Sequence, residues 1–222
     1  MCLLIYIDTL NSARIGIVTV YGKTYFGFSQ ILKTLKLSYD SLIPQQLDNY
    51  SGDLLLTTSS ETPKSYKIPA LYEDILDLEP TVIRGLIMQK LYSRCFSEEL
   101  LIGIDPGKRI GLSIYYYERE IEHSFYISME VLVLHLIRIF AGLHAKRKIV
   151  KIGNGDKKLA EKIANMLKLK YCSDFEIQFV DEYKTSLKIK NHNQRGKRDM
   201  LSARSITQRE GSKFLILPLS RT

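Results

Sequence analysis

The sequence predicts an α/β protein of two modules, a small α/β one followed by a mixed sheet with element order βββαβαβα. Three observations predict it. Short apolar runs of strand length alternate with stretches of helical periodicity along the chain. Charge is divided: residues 1–97 hold 9 Lys+Arg and 9 Asp+Glu, whereas residues 98–222 hold 23 and 15, so the formal net charge of +8 lies in the second part. Finally, "LIGIDPGKRIGLSIYYYERE", Leu101 to Glu120, sets Asp105 at the end of one apolar run, beside a Pro-Gly turn and just before another run.

In the first module, residues 1–97, "CLLIYID" and "GDLLLTTSS" have strand length and polar borders, and "YDSLI" offers a further strand. "FSQILKTLKL" repeats its apolar residues at helical spacing. "ILDLEPTVIRGLIMQKLYSR" is helical, with Pro80 at the start of its second piece. Asp8 ends an apolar run but is followed by no glycine turn, so it reads as a turn or cap residue. No motif in this module shows its role. The boundary falls at "CFSEE", Cys95 to Glu99.

The second module, residues 98–222, opens with "LLIGID", "GLSIYYYE" and "IEHSFYIS", close enough in sequence to form an antiparallel meander. The apolar helix "MEVLVLHLIRIFAGLHAK" follows, with His135 and Arg138 on its less buried edge. Next come strand "RKIVKIGNG" and the amphipathic helix "DKKLAEKIANMLKLKY", with Leu159, Ile163, Met166 and Leu167 on one face. Strand "FEIQFVDE" and helix "RDMLSARSITQRE" complete the order. Strands joined through crossover helices should be parallel.

This order brings carboxylates to element ends. Asp105 closes the first strand, Asp181 and Glu182 close the last, and Asp199 stands in the first turn of the last helix, sharing a face with Ala203 and Ile206. Each has an ordinary reading: a turn residue, a strand end, a partner of the helix dipole. Together they point to a divalent cation, since clustered carboxylates repel one another unless a metal holds them. Carboxylate-held metals activate water and stabilise the leaving oxygen in phosphodiester hydrolysis.

Three stretches resemble the RuvC and YqgF group of the RNase H-like nuclease superfamily. "GIDPGKRIGLSI" is similar to its first motif, whose Asp binds metal. "FVDEYKTS", Phe179 to Ser186, resembles the Asp-Glu-Arg-x-Ser-Thr segment of YqgF-like proteins, and "RDMLSARSIT", Arg198 to Thr207, resembles the last helix. The resemblance covers about residues 98–210. It implies an RNase H-like fold, Mg2+ or Mn2+ as cofactor, and Asp105, Glu182 and Asp199 as metal ligands and catalytic residues, with Asp181 and Asp156 as second choices. The implied activity is that of an endonuclease on structured DNA or RNA, in the manner of a Holliday-junction resolvase, which would act as a homodimer. The chain departs from the pattern at two places. The fourth strand ends "KIGNGD" without the Glu of RuvC, leaving Asp156, which reads first as a helix N-cap. The last helix has one acid, with Ser202 three residues later. A non-catalytic nucleic-acid-binding protein with a degraded metal site is therefore the alternative.

"YKTSLKIKNHNQRGKRD" leads from the last strand to the last helix. From Lys184 to Arg198 it holds six basic residues (Lys184, Lys188, Lys190, Arg195, Lys197 and Arg198) and no acid, which suits a phosphodiester backbone as well as plain solvation. His192 could assist proton transfer but reads more simply as an inert loop histidine. Of Tyr115, Tyr116 and Tyr117, strand alternation turns at least one to the core, so none is assigned to base stacking. The scattered Cys2, Cys95 and Cys172 have no zinc spacing and argue against a secreted disulfide framework. No apolar run reaches a membrane span, and "MCLLIYIDTLNSAR" lacks the basic start of a signal peptide, so a cytoplasmic location is expected. An actin-like nucleotide-binding module would need a longer chain and a second Gly-rich turn.

Overall fold

The computed structural model describes residues 12–62, 66–92, 96–170, 174–181 and 195–213, the side chains of 195–199 excepted. It divides into two compact units, Met1–Cys95 and Phe96–Thr222.

The first unit is built on a parallel sheet of order β2-β1-β3-β4. Its strands are β1 (Ile15–Val18), β2 (Tyr39–Leu42), β3 (Leu54–Thr57) and β4 (Ala70–Leu71). Helix α1 (Gly22–Thr34) connects β1 to β2, and α2 (Pro80–Tyr92) starts at the expected proline. All four residues of β1 and of β3 are buried, as a parallel sheet covered on both faces requires. The strands at "YDSLI" and "GDLLLTTSS" and the helix after Pro80 are as the sequence predicts. Strand β1 is not: "IGIV" is short and has no alternation, so it carries no periodic signal. "CLLIYID", where the first strand was expected, and Asp8 lie outside the described residues. Arg14 anchors β1, donating its backbone N–H to the Asp53 carboxylate at 2.8 Å and its guanidinium to Asp40 at 3.2 Å.

The second unit is a six-stranded mixed sheet of order β10-β9-β8-β5-β6-β7. Strands β5 (Glu99–Asp105), β6 (Ile110–Tyr116) and β7 (Arg119–Tyr126) form the antiparallel meander. Helix α3 (Met129–Gly142) crosses to β8 (Arg147–Gly153), which runs parallel to β5 on its other side. Helix α4 (Lys157–Lys170) crosses to β9 (Glu176–Val180), parallel to β8. Helix α5 (Arg195–Thr207) closes the expected βββαβαβα order. This is the RNase H-like sheet, with its first strand central, the meander on one side and the crossover strands on the other. A short β10 (Ser212–Lys213), antiparallel to β9, extends it at the edge and is not expected from the sequence.

The two faces of this sheet differ. Leu100, Ile102, Ile104, Leu112, Ile114, Val150, Ile152 and Ile177 point to the side of α3 and α4 and are 2% exposed or less. The opposite face belongs to α5. A Cβ on Gly103 would run into the Ala203 carbonyl of α5 and stand 2.5 Å from Thr207 Cγ2, so only glycine lets the helix lie this close. The register pairs Gly103 with Lys151 and Lys151 with Gln178. Lys151 Nζ donates to the Thr207 carbonyl at 2.9 Å and to that of Arg209, capping the end of α5.

The three tyrosines close the β6–β7 hairpin. Tyr117 and Glu118 both have positive φ, 49° and 59°, the type I′ geometry that matches strand twist. The Tyr117 ring meets that of Tyr116 edge-on at 4.7 Å, and both are buried. Tyr115 is 9% exposed, so all three rings belong to the core and none is offered to a base.

Candidate functional site

Strands β5, β8 and β9 are parallel and finish at one edge. Ile104 pairs with Ile152, Ile152 with Phe179, and Gly153 with Val180. Asp105, the turn 154–156 and Asp181 therefore sit side by side at the carboxyl ends of three adjacent strands. With strands ~4.8 Å apart, the ends of β5 and β9 lie ~10 Å from each other, a gap that two carboxylate side chains can narrow.

Asp105 is half-buried at the end of the central strand, and the turn after it presents exposed Lys108 and Arg109. The Arg109 guanidinium lies 5.3 Å over the ring of Phe125 on β7. The strand register adds what alternation along one strand cannot. Asp105 shares the α5 face with Gly103, and through Lys151 that face continues to Gln178 and Val180 on β9.

The remaining candidates fall as follows. Asp181 is exposed, and its backbone carbonyl accepts a hydrogen bond from Arg209 Nη1 at 3.0 Å. Glu182 lies outside the described residues, as do Lys184, Lys188, Lys190 and His192. Helix α5 begins at Arg195, three residues earlier than the sequence suggests. Asp199 is therefore in its second turn rather than its first, one turn before Ala203, where the helix dipole offers less to a carboxylate. Arg195, Lys197 and Arg198 likewise belong to the helix and not to a loop, and the side chains of 195–199 are outside the described set. Asp156 is an N-cap: its Oδ1 accepts from the Leu159 N–H at 3.1 Å and its carbonyl from the Ala160 N–H. Among the described residues no three His, Cys, Asp or Glu side chains are grouped to hold a metal.

The fold also brings basic residues to this edge that the sequence reading did not single out. Lys108 and Arg109 follow Asp105, Lys157 and Lys158 open α4 after β8, and Arg209 reaches the end of β9. Lys108 and Arg109 stand inside the quoted "GIDPGKRIG" motif and could have been found there. Arg209 comes to β9 only through the turn into β10.

In the first unit, the crevice where ligands of parallel sheets commonly bind lies between the carboxyl ends of β1 and β3. A carboxylate of the chain already occupies it. Glu61 accepts from the Val20 N–H at 2.6 Å and from Thr58 Oγ1 at 2.7 Å. Burial pushes the Glu61 carboxyl up, but hydrogen bonds from Thr58, Val20 and Thr19 outweigh burial and hold it below its ordinary value. A depressed folded value means stability that is present above the unfolded carboxyl range and lost as pH falls through the folded value. Acid should thus destabilise this unit less in Glu61→Gln than in the wild type, measured by urea unfolding at acid and neutral pH. An equal acid sensitivity would remove Glu61 as its source.

No protein-family model matches the chain, and no curated protein sequence matches it. Among solved structures, Aquifex aeolicus Argonaute is matched with a TM-score of 0.28 and 11% identity over 75% of this chain and 36% of that one. Aa-Ago with externally bound siRNA is matched with a TM-score of 0.27 and 10% identity over 75% and 34%. The chain thus spans about a third of the length of these Argonaute chains. At these scores the likeness carries neither fold nor function over to this protein.

Proposed function

We propose that the second unit is a divalent-metal-dependent nuclease of the RuvC/YqgF kind, acting on structured DNA or RNA, branched junctions included. The observation that carries this reading is the place of Asp105: it ends the central strand of an RNase H-like sheet, on the face crossed by the helix that bears Asp199. The donor set suits Mg2+ or Mn2+, since hard cations take carboxylate oxygens. Asp105, Glu182 and Asp199 would hold the metal. When bound it would supply activated water and charge stabilisation at the leaving oxygen. Lys108 and Arg109, with the basic stretch from Lys184 to Arg198, would hold the phosphates and set the backbone against the acids. No helix among the described residues is long and apolar enough to cross a membrane, and a cytoplasmic setting belongs to the proposal.

A second reading keeps the nucleic acid and drops the chemistry. Asp156 is engaged as an N-cap, so the end of β8 brings no carboxylate to the edge except by giving up that bond. Titration with Mn2+ by calorimetry separates the two readings. A working site binds the ion and cleaves a branched substrate in its presence, whereas a degraded one does neither while still binding the substrate in EDTA.

The phosphate contacts have their own test. Replacing Lys188, Lys190, Arg195 and Lys197 together by Ala should weaken binding to all sequences alike. It should also flatten the dependence of log affinity on log salt by about 0.9 per lost contact on duplex DNA. An unchanged slope would mean that these side chains are merely solvated.

A further inference from the structure

The end of the sheet that carries Asp105 also carries an exposed aromatic ring. Asp105 pairs with Gly111 of β6, and Gly111 with Phe125 of β7. Residues paired directly across strands point to one face. Phe125 therefore stands on the face of Asp105, two strands and about 10 Å away, and Gly111 puts no side chain between them. Phe125 is 40% exposed. Its neighbour Tyr126 turns to the other face and stacks on His135 at 5.5 Å. The Arg109 guanidinium, 5.3 Å from the centre of the Phe125 ring, is exposed as well, and so is Lys108 beside it. A single exposed phenylalanine is ordinary. This one is paired with a cation and lies level with the candidate metal ligand.

We propose that Phe125 and Arg109 form a stacking plate for an unpaired nucleobase, so that the strand held at Asp105 is single-stranded on this side, as at a junction or a loop. The inference rests on the nucleic-acid reading of this edge and deepens it by naming the part of the substrate that is read. Aromatic rings and guanidinium planes are the side-chain surfaces on which unpaired bases stack, and stacking accepts any base. Bases inside a duplex are already stacked on one another, so such a plate favours a strand whose bases are open. The separation of Asp105 and Phe125 lets a phosphate stand at the first while the base of an adjoining nucleotide reaches the second. Charge identifies the occupant. An apolar peptide side chain would gain from the ring but not from Lys108 and Arg109, whereas a nucleotide brings a π face and a phosphate together. A guanidinium over a ring keeps its N–H donors for that phosphate. Tyr115, Tyr116 and Tyr117 do not compete for this role, since their rings lie in the core.

The test is fluorescence anisotropy on the full chain in EDTA, with a labelled single strand, an abasic strand of the same length and the matching duplex. Both DNA and RNA versions are used, and the effect is read on whichever the wild type binds more tightly. The wild type should prefer the base-bearing strand to the abasic one, which has the same charge. Phe125→Leu, which keeps the apolar contact but not the ring, should weaken the base-bearing strand about tenfold and leave the abasic strand within two-fold. Its salt dependence should stay as in the wild type, because no phosphate contact is lost. Phe125→Tyr should bind as the wild type does. Overturning results are a wild type without preference for bases, a Phe125→Leu protein that binds the base-bearing strand normally, or an equal loss on the abasic strand. A wild type that binds no nucleic acid would overturn this inference and the nucleic-acid reading together. A wild type that selects bases through Phe125 but takes up no Mn2+ would uphold the plate and end the nuclease reading alone.

Discussion

Asp105→Asn is expected to reduce Mn2+-dependent cleavage of a branched substrate by orders of magnitude while leaving the fold intact. The substitution keeps the shape of the side chain and one oxygen but removes the charge, and hard divalent cations depend on anionic oxygen ligands. Calorimetric Mn2+ affinity should fall in step with activity. Binding of the same substrate in EDTA should hold or tighten, because one negative charge has left the neighbourhood of the phosphates. Thermal stability without metal should be unchanged or higher, as repulsion with Glu182 and Asp199 is relieved. A turn residue behaves differently: Asn replaces Asp in turns at little cost and would leave metal affinity and cleavage untouched. Equal Mn2+ affinity in the two proteins would leave the non-catalytic binding module as the better account.

What could be read from the sequence follows from which signals are local. The meander, the crossover helices and the strand directions of the second unit were legible because each strand has a clear apolar run and each connection has a length that dictates its direction. The N-cap role of Asp156 was legible because a cap is settled by its own next three residues. Strand β1 was not, because four buried residues in a parallel sheet show no alternation. Nor was the start of α5, since "RGK" has no apolar face to mark it. Strand parity within "FEIQFVDE" puts Asp181 and Glu182 on opposite faces and does not choose between them. Which face of β9 Gln178 shares with Gly103 is fixed by pairing across β5, β8 and β9, information that no single strand contains. The polarity of the α5 face was equally hidden: Lys151 in the middle of a strand reads as a solvated residue until the end of α5 is placed over it.

The glycine that matters most to the site lies within the strand and not in the turn. Gly103→Ala is expected to destabilise the second unit by about 1–3 kcal/mol, the range for forcing extra atoms into a packed contact. Its unfolding transition should drop by several degrees. The added methyl would meet the backbone carbonyl of Ala203, which no rotamer change can move, as well as Thr207 Cγ2. The helix must therefore shift or tilt, although Lys151 still holds its last carbonyls. Because the same helix bears Asp199, Mn2+ affinity should fall with stability, at a position that carries no ligand and no charge. Gly107 in the turn makes the control. A Cβ there would meet only the Arg109 carbonyl, at 3.2 Å, and the residue has no positive φ that would exclude alanine. Gly107→Ala should melt within a degree or two of the wild type, whereas the motif alone would rank the turn glycine as the more sensitive. Comparable melting of the two variants, or a Gly103→Ala protein with wild-type stability, would show that α5 is not seated on β5 through Gly103. The approach of Asp199 to the face of Asp105 would then lose its structural support.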